Sequence, residues 1–352
     1  MGISASIGRA ARLGERNGLR AYPTAANIAG RERVRRRGTG SVRFATMASA
    51  PQKPVGARGE GLPGVGPSLP YPVKAAVTFA RSAGWLVRTR GRSDTSGLRI
   101  LLYHRVADDD DALALSPRRF REQMEHLASE GYSVIDLIEA LGLLDAGQLP
   151  PRTIGLTFDD GFADLAEHAL PVLVQHGFRA TVFVTTGVTD GRLAFPWYER
   201  QPPVLGWDEV VDLDRAGTLR FEAHTVSHPS LLAVDDAAAE TEIRDSRLEL
   251  EGRLGRAVTA FAYPAGLFGD RERRLVADAG YRAAVSCEPG VNGPQSDRFA
   301  LRRRQIDSRD RLLDFKAKVG GGHDTPLPLR GAYRRLRYGR PAGTPRRASS
   351  RA

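Results

Sequence analysis

The sequence contains a single cysteine, Cys287, among 352 residues. One thiol cannot form a disulfide within the chain, and its isolation excludes the cysteine-rich zinc sites of small structural domains. Any metal site must therefore be built from histidine and carboxylate ligands. The cysteine content does not indicate whether the protein resides in an oxidising or a reducing compartment, because a chain without disulfides is compatible with either side of a membrane.

Long apolar runs are also scarce. The first 20 residues carry four arginines and no apolar stretch of signal length, so no secretory signal is predicted. Residues 75–87 form the most apolar early segment, which is too short to span a bilayer and contains Arg81. This segment is predicted to pack on the core or to act as an interfacial helix. The location of the protein stays open between the cytoplasm and the cell envelope.

Acidic residues are nearly absent from the two ends of the chain. Residues 1–98 hold 17 basic and 4 acidic residues, and residues 325–352 hold 8 basic and none acidic. Residues 99–324 carry a net charge of −10, although the whole chain has a net charge of +11. Nucleic-acid binding is therefore not the predicted function of the core. The ends lack apolar periodicity and are predicted to be disordered arms, either simply solvated or in weak contact with an anionic surface or membrane.

Predicted strands and helices alternate from residue 99 onward. One of the predicted helices covers residues 163–176. This alternation favours an α/β fold with a parallel sheet covered by helices, either a β/α barrel or an open doubly wound sheet. No glycine-rich turn follows the first strand, which argues against a dinucleotide-binding fold. The predicted strands span residues 98–104, 132–137, 153–158, 179–187, 219–225, 258–264 and 281–288.

The chain is predicted to divide into four segments. A basic, Gly- and Pro-rich arm covers residues 1–72, and a short helical or linker segment covers residues 73–97. One folded domain spans residues 98–320, and a basic tail covers residues 321–352.

Two motifs carry the chemistry. The stretch LTFDDGF, residues 156–162, places Asp159 and Asp160 side by side at the end of a predicted interior strand. Neighbouring strand side chains point to opposite faces, so the two carboxylates have different roles, and a nearby cation would relieve their repulsion. The stretch HTVSHP places His224 and His228 four residues apart at another strand end. Two imidazoles and one carboxylate are a common ligand set of hydrolytic metal sites.

The motifs TFDDGF, HTVSHP and FAYPAG, in this order, resemble those of the polysaccharide deacetylases of carbohydrate esterase family four, over roughly residues 98–310. The resemblance implies a distorted β/α barrel of about seven strands with the chemistry at the carboxyl ends of the strands. It implies Asp159 as the catalytic base, and Asp160, His224 and His228 as ligands of one divalent ion. Zinc is expected first, with cobalt or nickel as alternatives.

The general acid is implied by a different part of the chain. The usual histidine near the C-terminus of the family has no convincing counterpart here, since His323 lies in a glycine run without a preceding strand. Instead, the early strand ILLYHRV ends in His104, as in the circularly permuted deacetylases that act on poly-N-acetylglucosamine. By that resemblance His104 is the acid, and the barrel closes by pairing an early strand with a late one.

The third motif departs from the family pattern. An arginine that orients the base would sit at Ala262, and a tyrosine whose backbone N–H serves the oxyanion would sit at Ala265, where a backbone donor survives. Arg303 is the predicted substitute for the missing arginine. Tyr263 is a further oxyanion or substrate-contact candidate, and Trp207 is predicted either to stack on a sugar or to pack in the core.

The predicted activity is the metal-dependent removal of N-acetyl groups from an amino-sugar glycan. One alternative keeps the site and changes the substrate to an O-acetyl ester of a glycan. Another is a glycan-binding protein with a catalytically weak site, suggested by the missing motif-three arginine. The sequence makes no prediction of the glycan, its length or the oligomeric state.

Overall fold

The computed structural model of the protein describes residues 71–94 and 96–325. Within that part of the chain, no helix combines the length and the apolar composition needed to cross a bilayer. The strands are β1 Arg99–Tyr103, β2 Arg105–Val106, β3 Ala114–Leu115, β4 Ser133–Ile135, β5 Thr153–Asp160, β6 Ala180–Val184, β7 Leu219–Ala223, β8 Ala260–Ala262, β9 Ala283–Val285 and β10 Arg304–Gln305. The helices are α1 Tyr71–Thr89, α2 Pro117–Ser129, α3 Leu137–Asp145, α4 Leu170–His176, α5 Thr186–Thr189, α6 Trp207–Ala216, α7 Asp236–Leu254, α8 Asp270–Asp278 and α9 Leu312–Val319.

The main sheet is parallel and curled, in the order β10-β1-β5-β6-β7-β8-β9, with β4 paired to β5 beside this path. Leu101 of β1 lies opposite Arg304 on one side and opposite Leu156 of β5 on the other. A parallel bridge between Val285 and Leu301 brings the far edge of the sheet next to the segment that leads into β10. The expected pairing of an early strand with a late one is therefore confirmed.

The strand ends place the motif residues at one edge of the sheet. β5 is buried along its whole length and continues through Asp159 and Asp160, two residues beyond the predicted end of the strand. β7 ends immediately before His224, and β1 ends immediately before His104. Because the carboxyl ends of parallel strands meet at one edge, these side chains converge there.

Several element predictions were wrong in detail, and the strands predicted at 132–137, 219–225, 258–264 and 281–288 are shorter than predicted. Residues 163–176 are not one regular helix, because a π-helical turn at Leu165–Ala169 precedes α4. Pro171 has no amide hydrogen and crowds the preceding turn, which accounts for the widened geometry. The strand predicted at 179–187 ends at Val184, and α5 follows.

The described chain continues past residue 320, the predicted end of the domain. α1 begins two residues before the predicted helical segment of residues 73–97, ends inside it and packs on α9. His323 is buried, and Gly322 N–H donates to the Ala317 carbonyl at 2.7 Å. Most of the two predicted arms lies outside the described residues.

Candidate metal and catalytic site

Asp160, His224 and His228 form a compact set of potential metal ligands. Asp160 Oδ1 lies 3.7 Å from His224 Nε2 and 3.8 Å from His228 Nε2. One ligand atom from each residue lies within 4.8 Å of the others. Asp160 Oδ1 is buried and makes no hydrogen bond to any described residue. An unsatisfied buried carboxylate oxygen facing two imidazoles fits a divalent cation, which would supply the missing partner.

The protonation of this set also suits a metal. Burial lowers the pKa values of His224 and His228, so both imidazoles are neutral and able to ligate at neutral pH. His224 Nδ1 donates to the Ala262 carbonyl at 2.7 Å, which leaves Nε2 as the free lone pair. Burial, and then the charge of Asp159, raise the pKa of Asp160 well above its ordinary value, and a bound cation would oppose both effects.

Backbone strain is concentrated around these ligands. Six non-glycine residues among those described have a positive φ, and four of them lie in the three motifs. Left-handed backbone is costly for ordinary side chains, above all for β-branched Thr225, and is often retained at functional sites. The four are Asp160 at 73°, Thr225 at 67°, His228 at 57° and Ala265 at 54°.

Asp159 faces a different partner from its neighbour in β5. Arg303 Nη1 and Nη2 donate to Asp159 Oδ1 and Oδ2, each at 2.7 Å, as a bidentate pair. Arg303 is itself held by bonds from Nε to the Ser286 carbonyl at 2.9 Å and from Nη1 to Thr157 Oγ1 at 3.2 Å. The guanidinium is completely buried. It therefore occupies the place beside Asp159 that the motif-three arginine was expected to fill.

The two adjacent carboxyl groups are driven in opposite directions. Burial by itself raises the pKa of Asp159, but the charge and hydrogen bonds of Arg303 outweigh burial and hold this pKa below its usual value. Asp160 lacks such a bond, and its pKa is raised instead. The pair therefore divides into an ionised carboxylate held by arginine and a carboxyl group whose charged form a cation would stabilise.

His104 lies within electrostatic range of Asp159, and burial lowers the pKa of His104 to about 4. The next residue, Arg105, anchors this corner of the sheet. Arg105 Nε donates to Asp164 at 2.7 Å, and Arg105 Nη1 donates to Asp111 at 2.9 Å. The network limits the freedom of the backbone that carries His104.

Glu242 of α7 supports the metal-ligand turn and was missed in the sequence. Its Oε2 accepts from the backbone N–H groups of Val226 and Ser227, each at 2.8 Å, and its Oε1 accepts from Ser227 Oγ at 2.5 Å. These residues lie between the two histidines. The sequence offered no signal, because Glu242 is one of several acids on a polar helix.

Replacing Glu242 with glutamine is expected to weaken zinc binding by about tenfold or more, because an amide cannot accept from all three donors that shape the turn. Zinc affinity is measured by competition with a chelator. The matched control is Glu240→Gln, an exposed acid on the same helix, which should bind zinc like the wild type. Equal affinities for both variants would remove Glu242 from the support of the site.

The aromatic wall of the site comes from Trp197. Its ring lies edge-on to His228, with centroids 4.8 Å apart, and stacks on Phe195 at 4.7 Å. The indole N–H is buried and has no hydrogen-bond partner among the described residues. Within the described part of the chain, the indole N–H is therefore an unused donor.

Two of the other predicted contact residues are engaged elsewhere. Trp207 is 9% exposed, belongs to the main core and lies under Arg253, so its surroundings favour packing over sugar stacking. Tyr263 is buried, and its hydroxyl donates to the Phe299 carbonyl at 3.0 Å. Ala265 follows β8 in the strained turn, so its backbone N–H stays an oxyanion candidate.

Comparison with known families and proteins identifies polysaccharide deacetylases as relatives of this chain. Residues 146–284 match the family model described as polysaccharide deacetylase. A relative from Bacillus subtilis (strain 168), YxkH, whose name classes it with polysaccharide deacetylases, is 26% identical over 210 residues, 59% of this chain and 71% of the relative. The poly-beta-1,6-N-acetyl-D-glucosamine N-deacetylase of Staphylococcus aureus (strain NCTC 8325 / PS 47) is 24% identical over 219 residues, 60% of this chain and 73% of the relative.

Solved structures share the fold. The Streptococcus pyogenes deacetylase PplD, in complex with acetate, superposes with a TM-score of 0.57 at 25% identity, covering 64% of this chain and 99% of that chain. IcaB from Ammonifex degensii superposes with a TM-score of 0.56 at 24% identity, covering 64% and 97%. At 24% identity, the similarity to IcaB shows a shared fold and nothing more.

Proposed function

We propose that this chain, which matches the polysaccharide deacetylase family model over residues 146–284, uses a divalent metal to remove N-acetyl groups from an amino-sugar polysaccharide. The observation that carries this proposal is that the two adjacent aspartates, Asp159 and Asp160, have different partners. Asp159 is ionised and held by Arg303, while Asp160 faces two neutral imidazoles with an unsatisfied oxygen. The Staphylococcus aureus relative, named for action on poly-N-acetylglucosamine, supports the choice of substrate class.

Asp160, His224 and His228 would hold the metal, with zinc preferred by this ligand set and cobalt or nickel as alternatives. When bound, such an ion supplies Lewis acidity that polarises the amide carbonyl and acidifies water.

Asp159 is the base in this proposal. Its carboxylate accepts a proton from the attacking water while the water oxygen bonds to the acetyl carbon. Arg303 keeps the carboxylate ionised at neutral pH and fixes its orientation. The backbone N–H of Ala265 is the candidate donor to the oxyanion.

His104 is the acid that assists the leaving group. The carbon–nitrogen bond breaks as the nitrogen takes a proton, so the products are acetate and a free amine. With its pKa lowered to about 4 by burial, His104 is neutral in the free protein at neutral pH. It must therefore first receive the proton that Asp159 took from water, which returns Asp159 to its carboxylate form, and then pass this proton to the leaving nitrogen.

The missing motif-three arginine was the reason to consider a catalytically weak glycan-binding protein. The bidentate contact of Arg303 with Asp159 supports the enzyme over that alternative. The ester alternative keeps the same residues, and the two substrates differ in how much the leaving group depends on an acid. An amine leaves poorly unless protonated, whereas an alcohol requires less assistance.

Replacing His104 with glutamine is therefore the test of the proposed reaction. The full chain, stripped of metal and resupplied with zinc, is expected to release acetate from N-acetylglucosamine oligomers. His104→Gln should slow this release by about 10²-fold or more, with a much smaller effect on an activated acetyl ester. The neutral control is His168→Gln, a partly exposed helix residue. Equal losses on amide and ester would contradict the role of His104, and zinc-loaded protein that cleaves esters alone would favour the ester alternative.

A further inference from the structure

The outward face of α1 is an apolar stripe formed by Ala76, Phe79, Ala80, Ala83 and Val87, with Leu86 at its margin. At about 100° per residue these positions fall on one side of the helix. Phe79 is 53% exposed, Leu86 43% and Val87 81%, and these are three of the six large exposed hydrophobic residues among those described. Soluble surfaces seldom collect apolar side chains in this way without a partner.

The inward face of α1 is fixed to the rest of the domain by buried contacts. The exposure of the apolar stripe is therefore not the result of a loosely packed helix. Trp85 is 4% exposed, and its indole N–H donates to the Gly320 carbonyl at 3.1 Å. Ser82 Oγ donates to Asp314 Oδ1 at 2.7 Å and lies 3.1 Å from His323 Nε2. Inward anchoring fixes which face of the helix points to solvent.

The charge that α1 itself carries has one sign. No acidic residue occurs between residues 71 and 93, and Arg88, Arg90 and Arg92 at the end of α1 are exposed. No ion pair joins these three arginines to an acid among the described residues. Exposed apolar side chains next to unneutralised arginines complement an anionic lipid surface.

The chain segments that adjoin α1 carry the same sign. Residues 1–70, which lead into the helix, contain 12 basic and 3 acidic residues. Residues 326–352, with 8 basic and no acidic residues, follow Thr325. The Thr325 carbonyl accepts a hydrogen bond from Arg81 of α1 at 2.7 Å. Both arginine-rich segments are therefore joined to the folded chain at this helix.

We propose that the outward face of α1 docks the protein on an anionic membrane surface. The stripe from Ala76 to Val87 is about 16 Å long, which suits a helix lying in the interface and is too short for one that crosses. A nucleic acid would complement the arginines but would leave Phe79 and Val87 without a role. The proposal is independent of the catalytic activity.

Sedimentation of the full chain with lipid vesicles tests the proposal. We expect binding to phosphatidylcholine vesicles that contain phosphatidylglycerol, and much weaker binding to phosphatidylcholine alone. The double variant Phe79→Ser/Val87→Ser should bind the anionic vesicles about tenfold less or weaker, because the apolar contribution is lost. The control Val174→Ser/Leu248→Ser removes side chains that are 53% and 56% exposed on other helices, and it should bind like the wild type.

The salt dependence of vesicle binding distinguishes the apolar contribution of the stripe from the electrostatic contribution of the arginine-rich segments. At about 0.5 M salt, charge attraction alone is screened, and the wild type should retain binding that the stripe variant lacks. Unchanged melting and unchanged acetate release from soluble oligomers would show that the stripe variant is folded. The proposal is wrong if the full chain ignores anionic vesicles or if the stripe variant binds as tightly as the wild type. A dimer in solution that the stripe substitutions dissociate, without any vesicle binding, would identify a second copy as the occupant instead.

Discussion

Replacing Asp159 with asparagine is expected to reduce acetate release from N-acetylglucosamine oligomers by about 10³-fold or more. The side chain keeps its size but can no longer accept the proton of the attacking water. The amide oxygen of the variant would still accept one hydrogen bond from Arg303, so the fold should persist with reduced stability. Acetate release is measured on the zinc-reconstituted full chain.

Zinc content distinguishes a lost base from a lost metal. The Asp159→Asn variant should retain stoichiometric zinc, because the set of Asp160, His224 and His228 is intact. Asp160→Asn is the matched comparison at the next position, and it should lose both zinc and activity. An Asp159→Asn variant that turns over at the wild-type rate would exclude this carboxylate as the base.

Replacing Arg303 with methionine is expected to reduce both stability and catalysis, with its largest effect on stability. Breaking a buried ion pair by removing one partner leaves an uncompensated charge, at a cost of about 3–5 kcal/mol in the free energy of unfolding. Arg303 also orients the base, so kcat/KM should fall by about 10²-fold. Arg302→Met is the control, because this neighbouring side chain is exposed, and its effect should stay within about 0.5 kcal/mol.

The pH dependence identifies the cause of the loss. In the folded protein Arg303 holds the pKa of Asp159 below its usual value, so the pair stabilises the fold at neutral pH. That contribution is lost as the pH falls through the folded-state pKa. Without Arg303, burial raises the pKa of Asp159, and the acidic limb of kcat/KM should move to higher pH. Arg303→Lys should partly restore the wild-type profile, whereas an unshifted profile in Arg303→Met would reduce Arg303 to a structural role.

The active-site strands were largely predictable from local patterns. β5 was located by its apolar and β-branched run, and β7 lies within a predicted strand. The motif residues were expected at strand ends because parallel strands present one edge. The assignment of Arg303 from the sequence was less certain, since arginines flank it on both sides. The fold selects Arg303 because alternate residues of an extended chain face opposite ways, and its guanidinium is the buried one in contact with Asp159.

Other features depend on contacts between distant parts of the chain. Glu242 supports the turn that carries His224 and His228, although it lies on α7, which follows this turn in the chain. No periodicity distinguishes Glu242 from the other acidic residues of α7. Trp197 reaches His228 from an irregular loop whose path no local pattern specifies. The widened turn before α4 reflects Pro171, which a helical pattern alone does not register.

The sequence by itself determined the α/β class, the Asp doublet, the histidine pair and the early strand that carries His104, because strand periodicity and short motifs are local properties. Only the tertiary structure decided that Arg303 holds Asp159, that Asp160 is left with an unsatisfied oxygen, and that α1 turns its apolar stripe outward. These outcomes depend on burial and on pairs separated by many residues. Burial sets the pKa values and leaves polar atoms without water, and neither effect exists until the chain has closed around the site.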